Sequence, residues 1–147
     1  MEKYNVLIGS LNSSKLLKLN TRNLALTTCD STELIFEILE QQEFVVVILN
    51  VDDFTNSSEL LLKLLQEHYR IYFIVITETP SIEPPLLNAS KEFLSRIDFI
   101  VNYSKNIDLL KLKLAHVIEH YIASKEMNEQ FLAKATDHNS LYNTPGD

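Results

Sequence analysis

The 147-residue chain carries a formal net charge of −7, because 13 Lys and Arg residues stand against 20 Asp and Glu residues. This acidic balance argues against a nucleic-acid-binding surface, and a single cysteine, Cys29, excludes an intrachain disulfide. Hydrophobic residues make up 46% of the chain and charged residues 22%, as in an ordinary globular domain, and no apolar run approaches the roughly 18 residues of a membrane span. We therefore expect one soluble, cytoplasmic domain without a metal or cofactor.

Five short apolar segments alternate with segments of helical periodicity. The predicted strands are residues 5–8, 25–28, 44–49, 71–77 and 98–101. The predicted helices are residues 13–22, a helix capped by Ser31 or Thr32, a helix capped by Ser57 or Ser58, residues 86–95, and a long helix that starts near Asn106. Strands that are apolar throughout are typical of a parallel sheet with helices on both faces. The alternation predicts an α/β fold whose five strands follow the flavodoxin-like order 2-1-3-4-5.

Polar residues stand where the predicted strands end, and this edge of an open α/β sheet is where ligands usually bind. The candidate site residues are Ser10 after the first strand, Asn50 after the third with Asp52 and Asp53 behind it, Thr77 at the end of the fourth, and Asn102 after the fifth. We predict that these residues form one pocket.

In the order and spacing of its elements, the segment 4–124 resembles a receiver domain of the response-regulator family, chemotaxis regulators included. The resemblance implies an acidic pair after strand one, a phosphoacceptor Asp ending strand three, a Thr or Ser ending strand four and a Lys ending strand five. The matching positions here hold Ser10 beside Gly9 or Leu11, then Asn50, Thr77 and Asn102. Tyr103 replaces the proline that usually follows the lysine. Only the hydroxyl position is kept.

The side chains that are absent at these positions are the ones that phosphorylation of a receiver domain requires. An acyl phosphate requires a carboxylate nucleophile, and Mg²⁺ prefers several hard oxygen ligands that include carboxylates. The side chains present instead predict a neutral, vestigial phosphoacceptor pocket whose polar groups form hydrogen bonds with one another. These side chains are Ser10, Asn50, Thr77 and Asn102. We therefore expect no enzyme, but a phosphorylation-independent pseudo-receiver that acts as a protein-interaction or dimerisation module in two-component-type signalling.

Two alternatives stay open. In the first, Asp52 or Asp53 substitutes as the phosphoacceptor or binds a divalent ion; solvated loop carboxylates near the start of the next helix are the simpler interpretation. Residues 9–15, GSLNSSK, resemble the phosphate loop of small flavodoxin-like flavin- or nucleotide-binding proteins. Because the loop has a single glycine, we favour helix capping by Asn12 or Ser13 instead.

The last predicted helix extends past the end of the domain. Its apolar stripe supplies the candidate interface residues Leu110, Leu114, Val117 and Tyr121; the alternative is that the helix up to Ile122 packs on the sheet. The resemblance implies a homodimer through the last two helices and the fifth strand, and the charge and the apolar runs indicate neither nucleic acid nor membrane as partner. We assign residues 1–124 to the receiver-like domain and residues 125–147 to a helix extension and flexible tail. Residues 135–143 slightly resemble the start of a diguanylate cyclase domain, which hints at a following output domain.

Overall fold

The computed structural model describes residues 3–11, 16–19, 23–54, 57–68, 70–78 and 97–142. Its five strands are β1 (Tyr4–Gly9), β2 (Leu24–Cys29), β3 (Val46–Asn50), β4 (Tyr72–Thr77) and β5 (Ile97–Val101). They form one sheet in the order β2-β1-β3-β4-β5, and every neighbouring pair is parallel. The predicted fold class and strand order are confirmed.

The described α-helices are α1 (Thr32–Gln41), α2 (Ser57–Glu67) and α3 (Ile107–Tyr142). Short 3₁₀ turns cover Leu16–Leu19, Val51–Asp53 and Tyr103–Lys105. Ser31 caps α1, because its hydroxyl accepts a hydrogen bond from the backbone N–H of Leu34 at 3.2 Å. Of the helix predicted over 13–22, the structure describes only the 3₁₀ turn, and the helix predicted over 86–95 lies outside the described residues.

Two apolar layers enclose the sheet, because successive side chains of each strand point to opposite faces. On one face, α1 and α2 cover Leu7, Val47, Leu49, Phe73 and Val75. On the other face, the turn Leu16–Leu19 and α3 cover Val6, Ile8, Ile48, Ile74 and Ile76. These strand residues are at most 1% exposed, which explains why the strands read as continuous apolar runs.

The first part of α3 packs on the sheet with residues that the sequence suggested for an interface. Leu110, Leu114 and Val117 are 0%, 3% and 7% exposed and belong to the core layer under α3. Tyr121 is half-buried, and its ring meets that of Tyr4 edge to face at a centroid distance of 6.0 Å. Leu110, Leu114 and Val117 therefore belong to the core under α3, which is the second of the two interpretations of this stripe, whereas Tyr121 is only half-buried.

Beyond Ile122, α3 continues without a change in secondary structure. All side chains from Ala123 to Ala133 are exposed except that of Ser124, which is partly buried. No helix in the described part of the chain combines the length and the apolar character needed to cross a membrane.

Candidate functional site

The carboxyl edge of the sheet places three buried polar side chains on neighbouring strands. Thr77 ends β4 and Asn50 ends β3, while Ser10 directly follows β1. The three residues are 3% (Ser10), 4% (Asn50) and 6% (Thr77) exposed. Because parallel strands end at the same edge, the fold brings together three residues that the sequence proposes for one pocket.

Asn50 is held through both atoms of its amide group. Its Oδ1 accepts a hydrogen bond from the backbone N–H of Asp52 at 3.1 Å, and its Nδ2 donates one to the hydroxyl of Tyr103 at 3.1 Å. A side-chain amide that binds the backbone two residues further on stabilises a tight turn. Asn50 therefore starts the 3₁₀ turn Val51–Asp53 and directs the next two carboxylates back toward the sheet.

Asp53 reaches the end of β1. Its Oδ2 accepts hydrogen bonds from the hydroxyl of Ser10 and from the backbone N–H of Leu11, both at 2.8 Å. Short bonds of this kind to an ionised acceptor are stronger than bonds between neutral groups. Asp53 thus joins the loop after β3 to the loop after β1.

Asp52 makes the matching connection to the end of β4. Its Oδ1 accepts a hydrogen bond from the Thr77 hydroxyl, and its Oδ2 accepts one from the backbone N–H of Glu78, both at 2.7 Å. Both oxygens of the carboxylate are therefore engaged, one by the last residue of β4 and one by the residue that follows it. The strand ends of β1, β3 and β4 form one hydrogen-bonded unit.

Tyr103 closes this unit from the side of β5 and α3, whereas Asn102 does not. Asn102 adopts a left-handed backbone conformation with φ of 53°, and it is exposed. This turn of the backbone brings Tyr103 to Asn50. The next residue, Ser104, donates its backbone N–H to the Glu78 carboxylate at 3.1 Å, so the start of the β5–α3 connection is bound to both β3 and β4.

The environment of the Tyr103 hydroxyl favours its neutral form. Burial raises the pKa of Tyr103 above its ordinary value of 10.0, and the negative charges of Glu78, Asp53 and Asp52 raise it further. The hydrogen bond with Asn50 acts in the opposite direction and is outweighed. Tyr103 therefore contributes a neutral hydroxyl at the edge of three carboxylates.

The pocket of Ser10 and Thr77 is not neutral as the sequence predicts, because two carboxylates bind the hydroxyl groups of these residues. Asp52 and Asp53 are not merely solvated loop residues, because the turn that Asn50 starts points both carboxylates at neighbouring strand ends. The sequence argument also missed Tyr103 and Glu78. Asn102 was a usable signal for the turn that brings Tyr103 to Asn50, because Asn is among the few residues that adopt a left-handed conformation. Asn102 stands where the lysine of the family is expected.

The two carboxylates are engaged at different strand ends. Asp53 turns to β1 and Asp52 to β4, and neutral donors hold them there. Within the described ranges, no group of three or more His, Cys, Asp or Glu side chains is placed to hold a metal ion.

The loop considered for a flavin phosphate is described only in part. Residues 12–15 lie outside the described residues. The Ser10 hydroxyl and the Leu11 N–H both bind the Asp53 carboxylate, and the Ser10 N–H binds the carbonyl of Cys29. An anionic phosphate would have to displace that carboxylate, so nothing in the described part of the loop favours a phosphate site.

No protein-family model matches the sequence, and no curated protein matches it. Solved structures are similar to it in fold. The signal receiver domain of an HD domain-containing protein from Pseudomonas fluorescens Pf-5 has a TM-score of 0.68 at 17% identity, over 86% of this chain and 94% of that one. An orphan response regulator of H. pylori has a TM-score of 0.61 at 16% identity, over 78% and 95% of the two chains.

A third similar structure is the response regulator TrrA from Thermotoga maritima in complex with Mg²⁺-BeF. Its TM-score is 0.56 at 16% identity, and the match covers 80% of this chain and 99% of that one. All three proteins share with this chain the architecture described above. The chain therefore has the fold of a response-regulator receiver domain.

Proposed function

We propose that the protein is a signalling module of the receiver type that works through protein contacts and without phosphorylation of its strand-end pocket. The observation that carries this proposal is the state of Asn50 at the end of β3. It is 4% exposed, it is a neutral amide, and both of its polar atoms are used to hold the surrounding turn. A residue in this position supports structure and offers no nucleophile for phosphoryl transfer.

The hydrogen bonds of the neighbouring carboxylates support the same proposal. A carboxylate attacks phosphorus through one oxygen, and at Asp52 each oxygen already accepts a bond of 2.7 Å. Breaking one such bond to a charged group costs about 1.5–3 kcal/mol. Phosphorylation there would also break a connection between the turn after β3 and the end of β4.

A phosphorylated receiver that uses Asp52 or Asp53 is the second candidate. The observation that favours it is that both carboxylates lie at the carboxyl edge, beside Thr77 and Ser10, and not in a distant loop. In this case the present hydrogen bonds would describe the resting state. A phosphoryl group would replace the hydrogen bonds of Asp52 to Thr77 and Glu78, or those of Asp53 to Ser10 and Leu11.

Intact-mass spectrometry after incubation with acetyl phosphate and Mg²⁺ distinguishes the two candidates. The proposal predicts no gain of a phosphoryl group by the wild-type protein, and the Asn50→Asp variant shows whether the scaffold can be phosphorylated when the carboxylate is restored. A wild-type adduct that disappears in Asp52→Asn or in Asp53→Asn would establish the second candidate. The variant of the other aspartate should keep the adduct and serves as the control.

A further inference from the structure

A cavity of about 450 Å³ lies at the amino edge of the sheet, at the opposite end of the strands from the carboxyl edge. Tyr4 and Asn5 at the start of β1 line it, together with residues 43–45 just before β3 and residues 70–71 just before β4. The sheet-bound half of α3 adds Tyr121. Small-molecule sites in proteins typically enclose about 300–1,000 Å³, so this cavity is large enough for a small ligand.

Part of the lining is apolar and aromatic. Leu39 and Phe44 are both 7% exposed, and Val45 is half-buried. The rings of Tyr4 and Tyr121, which also line the cavity, meet edge to face at a centroid distance of 6.0 Å. Aromatic rings favour such contacts with one another, so a ring or a short hydrocarbon chain of a ligand would pack well here.

The charged side chains of the lining are mainly positive, although the chain as a whole is acidic. Lys3 and Arg70 are cations and Glu43 is a carboxylate, and all three are exposed. Arg70 already interacts with another group of the protein, whereas Lys3 forms no ion pair among the described residues. A net charge of −7 repels anions at long range, so an anion here would be held only by these local cations.

We propose that this cavity binds a small organic anion, a carboxylate on an aromatic or short hydrocarbon body. The apolar part of the lining holds the body, and the ammonium group of Lys3, supported by the charge of Arg70, binds the carboxylate. α1 and α2 both end at this edge, and the partial negative charge of a helix C-terminus acts mainly on its last turn. The carboxylate must therefore lie at the exposed mouth of the cavity and not between the two helix ends.

The cavity also reaches the place where α3 leaves the sheet. Tyr121 lines the cavity, Ile122 still packs on the core layer, and the side chain of Ala123 is exposed. A ligand would thus contact both the sheet and the end of the packed half of α3. It would give the proposed signalling module an input remote from the Asn50 pocket, although the site itself does not depend on that proposal.

An amide NMR titration of the full chain with 3-phenylpropionate tests the site, and 3-phenylpropionamide is the uncharged control of similar shape. We expect saturable shifts of the signals of Asn5, Val45 and Ile71, with a dissociation constant in the millimolar range for a ligand of about 11 non-hydrogen atoms. The signals of Leu11 and Glu78 at the carboxyl edge should not move. The amide should bind about fivefold more weakly, because it lacks the charge.

Two charge variants with opposite expected effects test the role of the lining. At about 0.15 M ionic strength, where distant charges are screened, Lys3→Gln should weaken the binding of 3-phenylpropionate about two- to fivefold, and Glu43→Gln should strengthen it by a similar factor. Lys111→Gln and Glu33→Gln make the same changes of charge outside the lining and should leave the dissociation constant unchanged. All four residues are exposed, so we expect each variant to fold, which the dispersion of its amide spectrum verifies.

The absence of saturable shifts up to about 20 mM ligand, or shifts that map to residues 123–133 of α3 in place of the cavity, would overturn the proposal. Equal affinity for the amide, or an affinity that neither Lys3→Gln nor Glu43→Gln changes in the expected direction, would overturn it as well. Phosphorylation of the wild-type protein, by contrast, would refute only the proposed function.

Discussion

The hydrogen bond between Tyr103 and Asn50 connects the start of α3 to the end of β3, and Tyr103→Phe removes it with the loss of one oxygen atom. The variant leaves the Nδ2 of Asn50, a residue only 4% exposed, without its acceptor. A buried donor without a partner costs about 1–3 kcal/mol. Because Tyr103 itself is half-buried and water can approach from its side, we expect a loss near the lower end, about 1–2 kcal/mol.

Urea unfolding followed by circular dichroism measures this loss, which for a domain of this size corresponds to a decrease in Tm of about 2–8 °C. Tyr121→Phe is the matched control, since Tyr121 is also half-buried and its hydroxyl forms no hydrogen bond within the described residues. In an Asn50→Leu background, Tyr103→Phe should cost much less, because the donor is gone. A Tyr103→Phe variant as stable as the Tyr121→Phe control would refute the reasoning.

The same contact predicts a pH dependence. The pKa of Tyr103 is raised in the folded protein, so the native state holds the phenolic proton more tightly than the unfolded state does. This contribution to stability is complete below pH 10 and decreases as the pH rises through the folded pKa. The stability advantage of the wild type over Tyr103→Phe should therefore shrink above pH 10. An advantage that grows with pH would contradict the assigned environment.

Three further outcomes follow from the described contacts. Thr77→Val removes the hydroxyl that donates to Asp52 and should lower the free energy of unfolding by about 1 kcal/mol, which a chemical denaturation curve measures. Asn50→Asp buries a third carboxylate beside Asp52 and Asp53; burial and like charges raise its pKa, so we expect a loss of about 1–3 kcal/mol relative to the wild type that develops as the pH rises above 4. Burial raises the pKa of Cys29, so its reaction with a thiol reagent near neutral pH should be slow in the folded protein and fast after unfolding; equal rates would place the thiol at the surface.

The fold could be predicted from the sequence because one physical signal dominates it. The β3 residues Val46 to Leu49 are apolar at every position, and so short a run rich in β-branched residues is typical of a strand buried on both faces. The remaining strands follow the same logic. The positions of the strand ends then predict that Ser10, Asn50 and Thr77 lie at one edge of the sheet. This prediction needs no information on side-chain contacts, because it depends on chain direction and periodicity alone.

The contacts within the site depend on local backbone geometry, which the pattern does not contain. The direction of Asp52 and Asp53 is set by a turn that a side-chain hydrogen bond of Asn50 starts. The arrival of Tyr103 depends on the left-handed backbone of Asn102. The packing of α3 was also open at the level of sequence. An apolar stripe such as the one that includes Leu114 can pack on a sheet or on a second helix equally well.

The central claim is that the carboxyl edge is held closed by its own hydrogen bonds and accepts neither Mg²⁺ nor a phosphoryl group. The most direct test is an amide NMR titration of the wild-type protein with Mg²⁺ and beryllofluoride. The backbone N–H groups of Leu11, Asp52 and Glu78 report on the bonds of Asp53, Asn50 and Asp52. We predict no saturable shift of these three signals. Saturable shifts of them that Asp52→Asn or Asp53→Asn abolishes would contradict the claim.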